Sequence, residues 1–97
     1  MKHVHVEDED IQFDRYEIVV SGSGGTVWIN GNDGLCWARF SKRFGIDVHR
    51  SASMQKAGTE CLYCTHGKAD VDDWTIFRAE VLRHHGVVLD ADTLSFA

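Results

Sequence analysis

Two cysteines three residues apart, with histidines before and after them, hold the clearest chemistry in this sequence. They sit in Cys61-Leu62-Tyr63-Cys64-Thr65-His66-Gly67, and His49 precedes them. A Cys-x-x-Cys turn brings two sulfurs to one point and leaves backbone N–H groups to stabilise thiolates. Zinc takes four N or S ligands in a tetrahedron, so such a turn supplies half a site. His49 and His66 are the natural third and fourth ligands, with Cys36, His84 and His85 as further candidates. Four protein ligands make a closed, structural site with no position for an activated water. A zinc staple of this kind adds stability that a small core lacks.

Other chemistry is open to the same residues. The cysteines can simply pack as small hydrophobes. A redox pair needs a low-pKa thiol, usually at a helix N-terminus in a βαβ setting. Here the expected helix starts several residues later and that setting is missing. A metal-dependent hydrolase or nuclease using His49, Cys61, Cys64 and His66 is the enzymatic alternative, with His49 as base. Cysteine nucleophilic catalysis would need Cys64 and His66 to present both heads to one substrate, which near neighbours rarely do. No catalytic constellation closes around these residues. His84 and His85 are adjacent on a helix and point about 100° apart, so they do not face one ion together. They complement the helix dipole instead. Gly22-Ser23-Gly24-Gly25 lacks the Lys-Ser/Thr of a phosphate-binding loop and is not followed by a helix.

The net charge of −5 is unevenly spread. Residues 1–38 and 69–97 are acidic, while residues 39–68 carry six basic groups against Asp47 and Glu60. Arg39, Lys42, Arg43 and Arg50 would form the contact set of a nucleic-acid-binding module, with Trp28 and Trp37 as stacking surfaces. The plainer expectation is that the fold pairs these charges across its own surface and that the tryptophans help fill the core. An acidic chain is repelled at long range by nucleic acid.

These residues need elements to hold them. Residues 11–20, 26–29, 35–40 and 46–49 read as strands, separated by Gly-, Asn- and Asp-rich turns. The pattern predicts a three- to four-stranded antiparallel meander. Period two puts Cys36, Ala38 and Phe40 on one face and Leu35, Trp37 and Arg39 on the other. Residues 50–58 read as a loop with one turn of helix. The period then changes to 3.6 over Val71, Trp74, Phe77, Arg78, Val81 and Leu82, which predicts an amphipathic helix at 71–85. Asp70 is its expected N-cap and Gly86 its C-cap. Val87-Val88-Leu89 is expected to return as an edge strand. The fold class is therefore α+β: a small antiparallel sheet packed against one C-terminal helix.

Ninety-seven residues make one domain, 1–97, with 1–10 and 90–97 expected as flexible tails, the latter pinned by Leu94 and Phe96 if at all. No apolar run approaches the ~20 residues of a membrane span. The first residues have no apolar stretch resembling a signal peptide, which predicts a cytoplasmic protein. Three cysteines cannot all pair within one chain, which points to reduced thiols in that compartment.

Four segments form a set: Asn30-Gly31-Asn32-Asp33-Gly34-Leu35-Cys36-Trp37-Ala38-Arg39-Phe40, Ser41-Lys42-Arg43-Phe44-Gly45-Ile46-Asp47-Val48-His49, Cys61-Leu62-Tyr63-Cys64-Thr65-His66-Gly67, and Asp73-Trp74 onward to Gly86-Val87. As a set this resembles small uncharacterised accessory proteins of bacteria and of phage or prophage genomes, over residues 26–89. The resemblance implies a stand-alone cytoplasmic accessory protein and carries no activity or catalytic residue. The leading expectation is a non-enzymatic binding protein, acting on a protein or ribonucleoprotein partner and stapled by structural zinc. Segregated surface charge suits steered association with such a partner.

Overall fold

Residues 16–31, 36–50 and 60–96 are described by a computed structural model. Its strands are β1 (Tyr16–Val20), β2 (Thr26–Gly31), β3 (Cys36–Ser41), β4 (Gly45–His49) and β5 (Cys61–Cys64), followed by the helix α1 (Val71–His85). The strands form one sheet in the order β1-β2-β3-β4-β5, each antiparallel to its neighbour. The α+β meander is as the turn signals imply. Its fifth strand is new, because Cys61–Cys64 is only four residues long and carries no strand-length alternation.

Helix α1 spans the predicted residues. Asp70 accepts from the N–H groups of Asp72 and Asp73, and the Asp73 carboxylate accepts from the Asp70 N–H in return. This reciprocal cap satisfies three donors that the first helical turn would otherwise leave bare. At the other end Gly86 takes φ 69°, the left-handed region, and donates to the Leu82 carbonyl. A glycine reaches that conformation without a Cβ clash.

The apolar stripe is narrower than the sequence implies. Trp74, Phe77 and Val81 are buried, whereas Val71 and Leu82 are exposed. The three buried residues lie over β3 and β4 and meet Val27, Ile29, Ala38, Phe40, Ile46 and Val48 from the sheet. Phe40 is the centre, with its ring 5.1 Å from Trp74 and 5.6 Å from Phe77.

Two expectations beyond the helix differ. Residues 87–89 do not join the sheet. Val87 and Leu89 are buried all the same, and the Leu89 carbonyl accepts from Arg78 Nε at 2.9 Å. Residues 90–96 pack against the helix rather than trailing. A 3₁₀ turn at Ala91–Thr93 presents the Ala91 carbonyl to Trp74 Nε1 at 3.0 Å, Leu94 is buried, and Phe96 reaches Phe40 and Trp74. The anchors Leu94 and Phe96 thus act over the whole segment. The expected tail at 1–10, the strand residues 11–15 and the loop at 51–59 lie outside the described residues.

The β3 alternation also breaks. Ile29 pairs with Ala38 but Asn30 pairs with Cys36, so Trp37 is an extra residue in a bulge. The bulge reverses the assignment of two side chains. Cys36 shares the Asn30 side of the sheet, and Trp37 turns towards the helix, stacked 5.1 Å from the His85 ring. Its indole lies so close over Gly31 that a Cβ there would come within 2.4 Å of it.

Candidate metal and thiol centre

The sheet has a face turned away from α1, and the chemistry-bearing residues gather there. Val48 is buried beneath the helix, so its neighbours Asp47 and His49 point to the opposite face. Asp47 is paired with Cys64 across the β4–β5 ladder, and His49 with Cys61. Directly opposed residues in an antiparallel pair share a face.

Cysteines three apart on a regular strand would point to opposite faces. The ladder resolves this with a second bulge. Val48 pairs with Tyr63 and His49 with Cys61, so Leu62 is skipped. The extra residue restores both cysteines to one side and draws their Cα atoms to 6.2 Å. The two sulfurs are joined as a disulfide. This differs from the reduced pair expected from the odd cysteine count. Cys36 remains half-buried, its Sγ donating to the Ala38 carbonyl at 3.4 Å. Burial pushes the Cys36 thiol pKa up, partly opposed by that hydrogen bond.

Around the sulfurs, Cys64 Sγ lies 4.0 Å from His49 Nε2. Ligand atoms of Asp47, His49 and Cys64 all lie within 4.8 Å of one another. The other ring nitrogen, His49 Nδ1, is buried and meets no hydrogen-bond partner. Asp47 Oδ2 accepts from Arg39 Nη2 at 2.5 Å, which fixes the carboxylate and offsets its charge. The His49 main chain is held from the helix side, because its carbonyl accepts from His85 Nε2 at 2.8 Å. Burial lowers the His85 pKa, its hydrogen bond to that carbonyl raises it by less, and His84 adds a small lowering.

Of the four expected ligands, Cys61, Cys64 and His49 therefore share one face and His66 does not join their group. His66 is exposed in the turn after β5. Asp47 stands in the cluster instead. The signal that finds it is the period of two: Asp47 and His49 flank an apolar Val48, so a strand must present both on one side. Motif spacing alone favours His66, because it looks along the chain and not across the ladder. Of the other candidates, Cys36 faces the same side of the sheet, and His84 hydrogen-bonds Glu80 one helical turn back at 3.1 Å.

The basic set is dispersed among local partners. Arg39 pairs with Asp47, and Arg50 pairs with Glu60 at 2.6 Å. Lys42 donates to the Ser95 carbonyl at 2.5 Å and sits 4.6 Å from the Phe96 ring centroid. Arg43 lies over Phe44 in the β3–β4 turn. Trp28 is half-buried beside Arg39 on the outer face, while Trp37 packs against the core. The Ser21–Gly25 stretch is a tight turn, with Ser21 Oγ accepting from the N–H groups of Gly25 and Thr26. No family model matches the chain, and neither a curated protein nor a solved structure matches it.

Proposed function

We propose that this is a small non-enzymatic binding protein whose reduced form holds a structural zinc through Cys61, Cys64, His49 and Asp47. The observation that carries the reading is the convergence of Asp47, His49 and Cys64 ligand atoms within 4.8 Å, with Cys61 Sγ bonded to Cys64. Donors around zinc stand about 3.3–3.8 Å apart for bond lengths of ~2.0–2.3 Å, so modest inward movement closes the set once the sulfurs separate. Two thiolates, an imidazole and a carboxylate suit zinc better than magnesium or calcium, which prefer all-oxygen shells. Four protein ligands leave no open position, which favours a staple over catalysis.

The staple would hold an edge of the domain that acts by binding. A protein or ribonucleoprotein partner is supported by large apolar side chains left at the surface, among them Phe44 at 61% and Val88 at 64% exposure. The local pairing of Arg39 and Arg50 leaves less positive charge for a phosphate backbone, which favours contact with protein over contact with nucleic acid.

Zinc and cobalt titration of the reduced, metal-free chain tests the site. The expected result is one ion per chain, a tetrahedral cobalt spectrum with thiolate charge-transfer bands, and loss of binding in Cys61→Ser. Asp47→Ala should weaken binding by about tenfold or more, while His66→Ala should leave it unchanged. Stoichiometry near zero removes the site. An ion held by three protein groups and a water would favour the hydrolase alternative.

A further inference from the structure

The oxidised form of the same centre has a chemistry of its own, which does not depend on zinc. Its two sulfurs are unequal. Cys61 is exposed at the start of the edge strand β5, and Cys64 is half-buried. His49 opposes Cys61 across the ladder, yet among the described residues it is the Cys64 sulfur that lies within hydrogen-bonding reach of an imidazole, His49 Nε2 at 4.0 Å. With His49 Nδ1 buried and unpartnered, placing the proton on Nε2 avoids a buried bare donor and aims an N–H at Cys64.

We infer that the Cys61–Cys64 disulfide is a thiol-exchange site, attacked by small monothiols at Cys61, with Cys64 as the leaving sulfur and His49 as the donor that receives it. The thiolate of the small molecule attacks Cys61 Sγ in line with the S–S bond. A new S–S bond forms to Cys61, the old one breaks, and its electron pair departs on Cys64 Sγ. The His49 Nε2–H hydrogen-bonds that thiolate as it forms, which makes it a better leaving group. A second monothiol then attacks the adduct and expels the Cys61 thiolate. The small thiols leave as their own disulfide, so two electrons pass from them to the protein.

Attack in the opposite sense is disfavoured by the same geometry. A thiol reaching Cys64 would have to enter beside His49 and the Asp47 carboxylate, and among the described residues no donor is placed to receive a departing Cys61 thiolate as His49 Nε2 is for Cys64. Cys36 competes poorly, because burial raises its pKa and reduces its thiolate fraction.

The test uses the oxidised, metal-free chain with limiting glutathione under native conditions, quenched by alkylation and mapped by peptide mass spectrometry. The expected product carries glutathione on Cys61 and the alkyl group on Cys64. His49→Leu should slow adduct formation by about tenfold, and His49→Gln, which keeps an N–H donor, should recover most of the rate. Circular dichroism confirms that each variant retains the sheet before its rate is used. Glutathione on Cys64, equal labelling of both sulfurs, or a disulfide inert to excess thiol in the folded chain would overturn the inference. Rates unaffected by His49→Leu would remove His49 from it. All of these readings are made without metal, so they fail or succeed separately from the zinc titration.

Discussion

His85 links the helix to the centre through one hydrogen bond, and its environment makes that link sensitive to acid. Burial against Trp37 lowers its pKa below the ordinary histidine value of 6.5. The folded state therefore favours the neutral ring, and the unfolded chain binds the proton first. Stability should be full above about pH 7 and fall as pH drops through 6.5 towards the folded-state pKa, levelling below it. Urea midpoints measured from pH 7.5 to 5 check this, and His85→Gln should flatten that limb of the profile. A second residue-scale consequence concerns Gly31. A methyl group there would meet the Trp37 indole at 2.4 Å, and the ring has His85 stacked against it. Gly31→Ala should cost about 1–3 kcal/mol in denaturant unfolding, the range of overpacking in a core.

At the scale of elements, α1 was the most readable part of the chain and β5 the least. The helix announces itself three times over, through an acidic cap, a 3.6-residue apolar stripe and a terminal glycine; both caps agree with the structure, and the stripe does so at Trp74, Phe77 and Val81 but not at the exposed Val71 and Leu82. Its buried side is Trp74, Phe77 and Val81, so Trp74→Ala should lower stability by about 3–5 kcal/mol in equilibrium denaturation. Strand β5 is only four residues long and bulged, so alternation has no length over which to show. Two bulges explain the side-chain assignments that differ within the sheet. One sends Trp37 to the helix side and Cys36 to the other, and the other brings Cys61 and Cys64 to one face. A bulge is a property of a ladder, and a ladder needs a partner strand that no single segment reveals. Cys61, Cys64 and His49 were legible as neighbours from type and spacing; the alternation around Val48 puts Asp47 on the His49 face, and the β4–β5 ladder sets it opposite Cys64.

At the scale of the whole molecule, sheet order repeats chain order among the described strands, each lying beside its neighbours in sequence. The feature has a kinetic meaning. Each described ladder joins strands that are consecutive in sequence, so closing it brings together nearby parts of the chain with no crossover among them. Distant parts of the chain meet where α1 docks across β3 and β4 and where the Val88 N–H donates to the Tyr16 hydroxyl on β1. The sequence also contains no proline, so no slow prolyl isomerisation is available to delay the process. Stopped-flow refolding of the chain, with its disulfide kept intact throughout, should finish within about a second, with no phase lasting tens of seconds. The centre straddles a single ladder, β4–β5, at one end of the described sheet, so thiol exchange there would report the docking of β5 on β4 and not the state of the ladders beyond it.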